Sequence, residues 1–287
     1  MPGPPLLTLE ARMRNALALS LLVLAPLLNA AQAQEMPFAS HRAAYSLTLA
    51  ADAPGAGDAG QVPTSASGLI AYEFRGSSCE GYVSNFRQVT LLQRSEGDPI
   101  KTDSRSMTFE DGKGRTMRFQ MDGATGDNKD PPISGAAERD AKGVVSVDLT
   151  RPKTEKAEIG DDLLFPTQHL MHIIGAAKAG QTSLHAKVFD GSDDGKKTFE
   201  TLSVIGKENE KPGPEVAKSA ELAKIRHWPV TVSYFDAAKK DVAPEYTLSF
   251  ELFENGISGN LKLDYGAFAL RGELTSLELF PSKPCPK

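Results

Sequence analysis

Apolar and polar positions alternate along most of this chain. Residues 43–49 (AAYSLTL) carry the period-2 pattern of a strand with one buried face. Residues 68–74 (GLIAYEF) and 81–92 (GYVSNFRQVTLL) continue it. The runs at 103–110 and 115–121 are separated by Asp111-Gly112-Lys113-Gly114, and Asp-Gly between β-rich runs is a hairpin signal. Further strands are expected at 143–149, 183–189, 198–205, 230–235 and 246–253, then, after the turn Asn255-Gly256, at 257–265 and 267–279. About a dozen short strands with Gly, Asp and Asn turns point to one large antiparallel sheet system, because strand–helix alternation of the nucleotide-binding kind is missing.

One segment has the helical period instead. In residues 166–179 (PTQHLMHIIGAAKA), Leu170, Ile173, Ile174 and Ala177 fall at i, i+3, i+4 and i+7, with Pro166 in the first turn and Gly180 at the end. A lone helix with so narrow an apolar stripe cannot build a core by itself. It is expected at the concave face of the sheet, as a plug in an open barrel-like curl, since a long sheet must curl, close or cover its edges. Residues 51–65, 123–142 and 208–220 are rich in Gly, Pro, Ala and charge, and read as exposed loops.

The chain opens with a different pattern. Arg12 and Arg14 precede an apolar run over residues 16–28, followed by Ala31-Gln32-Ala33. This is the layout of a secretory signal peptide with its A-x-A cleavage site, and the run falls short of the roughly 20 residues of a membrane span. Residues 1–33 are therefore set apart as a leader. Residues 34–287 are expected to form a single exported domain in a bacterial periplasm, not integral to the membrane after cleavage.

Composition narrows the chemistry. The net charge of −5 argues against a general nucleic-acid binder, which needs a basic face. Two cysteines, Cys79 and Cys285, cannot build a four-cysteine metal site or an iron–sulfur cluster. In an oxidising compartment such a pair reads as a disulfide, with two buried free thiols as the alternative. Their distance in sequence excludes a C-x-x-C redox motif.

Other constellations stay incomplete. Asp190, Ser192, Asp194 and Gly195 match positions of a helical calcium loop, but its bidentate glutamate is replaced by Thr201 and the flanks are strand-like, so a tight hairpin turn is favoured. His169 and His172 stand three apart on the helix with no third ligand in sight. His41, His185 and His227 fall on or near strands without a pattern. Asp161-Asp162, just before the helix, suits its positive end. His227-Trp228-Pro229 could stack a ligand, and a lone Trp serves equally as core. Serine-hydrolase, zinc-protease, dinucleotide and P-loop signatures are all missing. No catalytic, metal or cofactor-binding residue is assigned, and no cofactor is expected.

Several residues taken together carry a resemblance. They are His41-Arg42-Ala43-Ala44-Tyr45, the pair Cys79 and Cys285, Phe165-Pro166-Thr167-Gln168-His169, the segment from Phe189 to Gly195, and Val232-Ser233-Tyr234-Phe235. In these the chain resembles the EipB family of periplasmic cell-envelope integrity proteins over essentially all of residues 34–287. The resemblance implies a many-stranded β-spiral with a helix at its concavity, a disulfide between Cys79 and Cys285, and a role in maintaining the envelope under stress. It implies no catalytic residues. The expected function is a non-enzymatic periplasmic scaffold or binding protein. The alternative is a carrier of a lipid or other apolar envelope molecule, which a curved sheet could enclose; a cell-wall hydrolase is a third reading, without a nameable acid–base pair. The expected partners are a periplasmic helical-repeat protein or a lipid or peptidoglycan component of the envelope.

Overall fold

The computed structural model describes residues 38–51, 62–211, 213, 219–240, 243–281 and 285. The expected leader at 1–33, the centre of the expected loop at 51–65 and part of that at 208–220 lie outside the described residues. The strands are β1 (His41–Leu49), β2 (Pro63–Ser77), β3 (Gly81–Arg94), β4 (Ile100–Glu110), β5 (Thr116–Thr125), β6 (Asn128–Lys129), β7 (Ile133–Arg139) and β8 (Val145–Arg151). They continue as β9 (Glu155–Gly160), β10 (Leu163–Leu164), β11 (Ser183–Val188), β12 (Phe199–Ile205), β13 (His227–Asp236), β14 (Tyr246–Phe253), β15 (Ser258–Asp264) and β16 (Ala269–Leu279). Helix α1 (Pro166–Lys178) lies between β10 and β11.

All the strands belong to one sheet. Its order is β10-β11-β12-β13-β14-β15-β16-β1-β2-β3-β4-β5-β7-β8-β9, with β6 paired to β5. Nearly every neighbour is also a neighbour in sequence, so the sheet is a long meander whose first and last strands pair with each other, from His41↔Leu279 to Leu49↔Leu270. The two ends of the path, β9 and β10, are joined only by Asp161 and Asp162. Such a link reaches about 11 Å, so the two edges must lie side by side and the sheet curls into a nearly closed, barrel-like spiral. One pairing departs from the antiparallel rule: β10 runs parallel to β11, because α1 intervenes and reverses the chain between them.

The alternation of β1 explains its placement. Ala43, Tyr45 and Leu47 are buried on one face, while Arg42 on the other pairs with Glu73 at 2.7 Å. Helix α1 is inside the curl. Its buried Ile173, Ile174, Ala176 and Ala177 share one core cluster with Phe74 and Tyr82 of β2 and β3, Ile205 of β12, and Trp228, Val230 and Val232 of β13. Strands so far apart in the sheet can meet on a single helix only if the sheet wraps around it. Gly180 ends the helix at φ +72°.

The structure corrects the expected loop at 123–142. Its residues extend β5 and supply β6 and β7. Ser134-Gly135-Ala136-Ala137 reads as a loop by composition, yet β7 is hydrogen-bonded between β5 and β8 and covered by the segment after β11. Strand status here comes from neighbours on both sides, which outweigh a weak intrinsic preference. Strand β9 (EKAEIG) was also not apparent in the sequence; its charges suit an edge. The Phe189–Gly195 motif is not a tight turn either. A longer connection over residues 189–198 folds onto the sheet, where Gly191, at φ +80°, sits so close to Phe119 that a Cβ would come within 2.6 Å of the ring.

Candidate functional site

Between α1 and the inner face of the sheet lies a cavity of about 760 Å³, within the range of small-molecule sites. Aromatic and aliphatic side chains dominate its wall, among them Phe74, Phe86, Leu170, Ile173, Phe250 and Leu263. The alternation that builds each strand aims every second residue inward, so Tyr45, Ile70, Tyr72 and Phe74 arrive from two adjacent strands. At the rim, Gln88 Nε2 of β3 donates to the Tyr265 hydroxyl beyond β15, 3.3 Å away, spanning the width of β16, β1 and β2.

The polar groups gather at the N-terminus of α1. The residue before the helix is Phe165, whose side chain offers no acceptor to the free N–H groups of the first turn. Glu110, from the end of β4, replaces it. Its carboxyl accepts the Thr167 N–H at 3.0 Å and the Thr167 hydroxyl at 2.7 Å. Glu110 is 2% exposed, and burial pushes its carboxyl up to about 7 against these hydrogen bonds. The acid at the positive end of the helix is thus Glu110, in place of Asp161 and Asp162, which are exposed at the sheet seam. Sequence adjacency could not reveal it, because 57 residues separate Glu110 from Thr167. Gly114 fits the same corner: at φ +63°, it passes so close to the Gln168 side chain that a Cβ would overlap it.

His169 and His172 do not come together. His169 points inward, 3.3 Å from Thr201 Oγ1, and burial lowers its imidazole to about 4; His172 is exposed. The acids of the calcium-like motif are likewise dispersed. Asp190 lines the cavity, while Asp193 and Asp194 approach Lys197 and Lys196 at 2.8 and 3.9 Å. His41 is buried in the cavity wall, His185 is exposed, and His227 is buried with its ring stacked on Phe253 at 4.7 Å. Trp228 is fully packed in the core beneath Arg226. The cavity residues that sequence reading missed, Glu110, Asp190 as a wall residue, Tyr234 and Tyr246, share only one signal, a polar group on the inward phase of a strand or at its end.

Cys79 and Cys285 are joined as a disulfide, with their Cα atoms 5.8 Å apart. The bond ties the β2–β3 turn to the tail beyond β16. Just before that tail, Phe280 lies under the Arg75 guanidinium, 3.6 Å from its ring centre.

A family model described as EipB-like matches residues 32–281. The chain belongs to the EipB-like family. The cell envelope integrity protein EipB of Brucella abortus (strain 2308) is 36% identical over 253 residues, 88% of each chain. The fold of this EipB-like chain also matches the crystal structure of a β-barrel-like protein from Brucella abortus, described as a domain of unknown function. That match has a TM-score of 0.77 and 35% identity, and covers 86% of this chain and 100% of the other. Among the described residues, no helix is long and apolar enough to cross a membrane.

Proposed function

We propose that this protein is a non-enzymatic binding protein of the periplasm that supports cell-envelope integrity by holding an apolar or amphipathic envelope molecule in its cavity. The observation that carries the reading is the 760 Å³ cavity, walled mainly by apolar side chains inside a curled sheet. A pure scaffold has no need of such a space, since packed interiors leave few voids larger than a water molecule. The polar groups of the wall support a binding role over a catalytic one. Glu110 is committed to the helix backbone and His169 to Thr201, so each has a structural partner. The envelope role rests on the similarity to a protein named for cell-envelope integrity; the periplasmic location rests on the signal-peptide pattern ending at Ala33.

Organic-solvent extraction of the protein purified from its native envelope, followed by mass spectrometry, tests the binding role. A stoichiometric apolar compound is expected; a clean extract together with no uptake of apolar fluorescent probes would refute it. A strain lacking the gene should lose tolerance to detergent, cell-wall antibiotics and chelators, and unchanged tolerance would remove the envelope role.

A further inference from the structure

A carboxylate buried against apolar surface is costly unless a donor or a cation faces it. The two carboxyls of the cavity wall meet this demand differently. Glu110 takes the donors of the helix terminus. Asp190, half-buried, accepts the Ser192 N–H at 2.9 Å, with the Ser192 hydroxyl and its own N–H as further donors, and forms no ion pair among the described residues. Lys197, whose charge acts on it, is bound instead at 2.8 Å by Asp193 and 2.7 Å by Glu245.

Beside Asp190 stand two tyrosines of the same wall. The rings of Tyr234 and Tyr246 are stacked with centroids 4.5 Å apart, and Phe199 meets both edge-on at 5.8 and 6.0 Å. Neither Tyr234 nor Tyr246 makes a side-chain hydrogen bond among the described residues, and both phenols feel the charge of Asp190. A carboxylate next to aromatic rings is the pairing that holds organic cations: the ring quadrupole attracts the charge, and a substituted ammonium sheds its water cheaply. The charged side chains of the wall are two carboxyls, Glu110 and Asp190, and one ammonium, Lys262, which has a partner of its own, so the balance favours a cationic head group over an anionic one. The remainder of the wall, including Phe86, Leu248, Leu261 and Leu263, offers an apolar tail its place.

We propose that the cavity takes an amphiphile with an organic ammonium head, the ammonium held by Asp190, Tyr234 and Tyr246 and the tail packed along Leu170 and Ile173. This specifies the cargo of the binding role proposed above and rests on it.

Calorimetric titration of the delipidated protein, with each probe below its micelle concentration, tests the assignment. The probes are dodecyltrimethylammonium, dodecyl maltoside, dodecyl sulfate and tetramethylammonium. Dodecyltrimethylammonium should bind about tenfold more tightly than the maltoside, with the sulfate weaker still and tetramethylammonium alone much weaker than its dodecyl form. Asp190→Asn should abolish the preference for ammonium over maltoside while leaving maltoside binding intact, which also reports a folded cavity. Tyr246→Leu makes the same test if Asp190→Asn fails to fold. Equal binding of maltoside or sulfate, a preference that survives both variants, or tetramethylammonium binding as tightly as its dodecyl form would overturn the ammonium assignment and leave the cargo role standing. No binding of any dodecyl probe would overturn both.

Discussion

The curled sheet has two junctions where its halves meet, and they are built in opposite ways. At the first, β16 pairs with β1 from His41↔Leu279 to Leu49↔Leu270, and the disulfide Cys79–Cys285 lies just past the same end. At the second, β9 and β10 share no ladder and are joined by a two-residue link. Side chains close this seam. Met117, Val145, Val147 and Leu149 from one half pack with Leu163, Phe165 and Phe189 from the other. The junction of the chain's distant segments is thus held by backbone hydrogen bonds and a covalent bond, whereas the seam beside the helix and its polar cavity corner is held mainly by packing, with the Arg139 guanidinium donating to the Leu163 carbonyl across it. Packing without a ladder can loosen locally at lower cost than a paired strand can separate.

Breaking the covalent junction should have the largest effect. Closing a loop across 206 residues constrains the unfolded chain by about 5 kcal/mol in the chain-entropy picture. Thermal unfolding with reductant, or of Cys285→Ser, should show a clearly lowered Tm; an unchanged Tm would mean that the β16–β1 ladder alone secures this side. At the seam, Phe189→Ala removes a fully buried ring from the cluster that joins the halves. It should cost about 3–5 kcal/mol in denaturant titration and speed amide exchange in β9 and β11 more than in β1 and β16. Uniform acceleration in all four strands would erase the distinction between the junctions.

A smaller effect concerns pH. Glu110 sits at about 7 in the folded protein against 4.5 when free, so its contribution is full below about pH 4.5 and is lost as the pH rises through 7. His169, at about 4 against 6.5, works in reverse: its contribution is full above 6.5 and is lost as the pH falls through 4. Each is worth roughly 3 kcal/mol over its range, and between about pH 4.5 and 6.5 the two slopes oppose each other. Glu110→Gln should therefore leave a stability that rises with pH over this interval more steeply than that of the parent. A parallel pair of pH profiles would show that Glu110 titrates normally. Least of all should Lys196→Ala matter. Its 2.7 Å ion pair with Glu155 bridges the seam at the surface, where solvent screens it, and its loss should leave the denaturant midpoint almost unchanged. A larger loss would make the seam electrostatic as well as apolar.

What the sequence alone determined is what local periodicity and pairing chemistry can carry. The alternation at 43–49, 81–92 and 246–253 marked the strands, and the i, i+3, i+4, i+7 stripe of Leu170, Ile173, Ile174 and Ala177 marked the helix that fills their curl. Two cysteines behind a leader-like N-terminal pattern pointed to the disulfide. That Ser134–Ala137 is a strand depends on its place in the sheet, since its small residues gain order from β5 and β8 on either side. The same holds for the cavity corner. Glu110 caps a helix 57 residues further along, and Asp190 leaves a calcium-like motif to face Tyr234 and Tyr246, because the curl of the sheet brings those positions together. A side chain's period along its own strand says which face it takes; what it meets there depends on how far the whole sheet has turned.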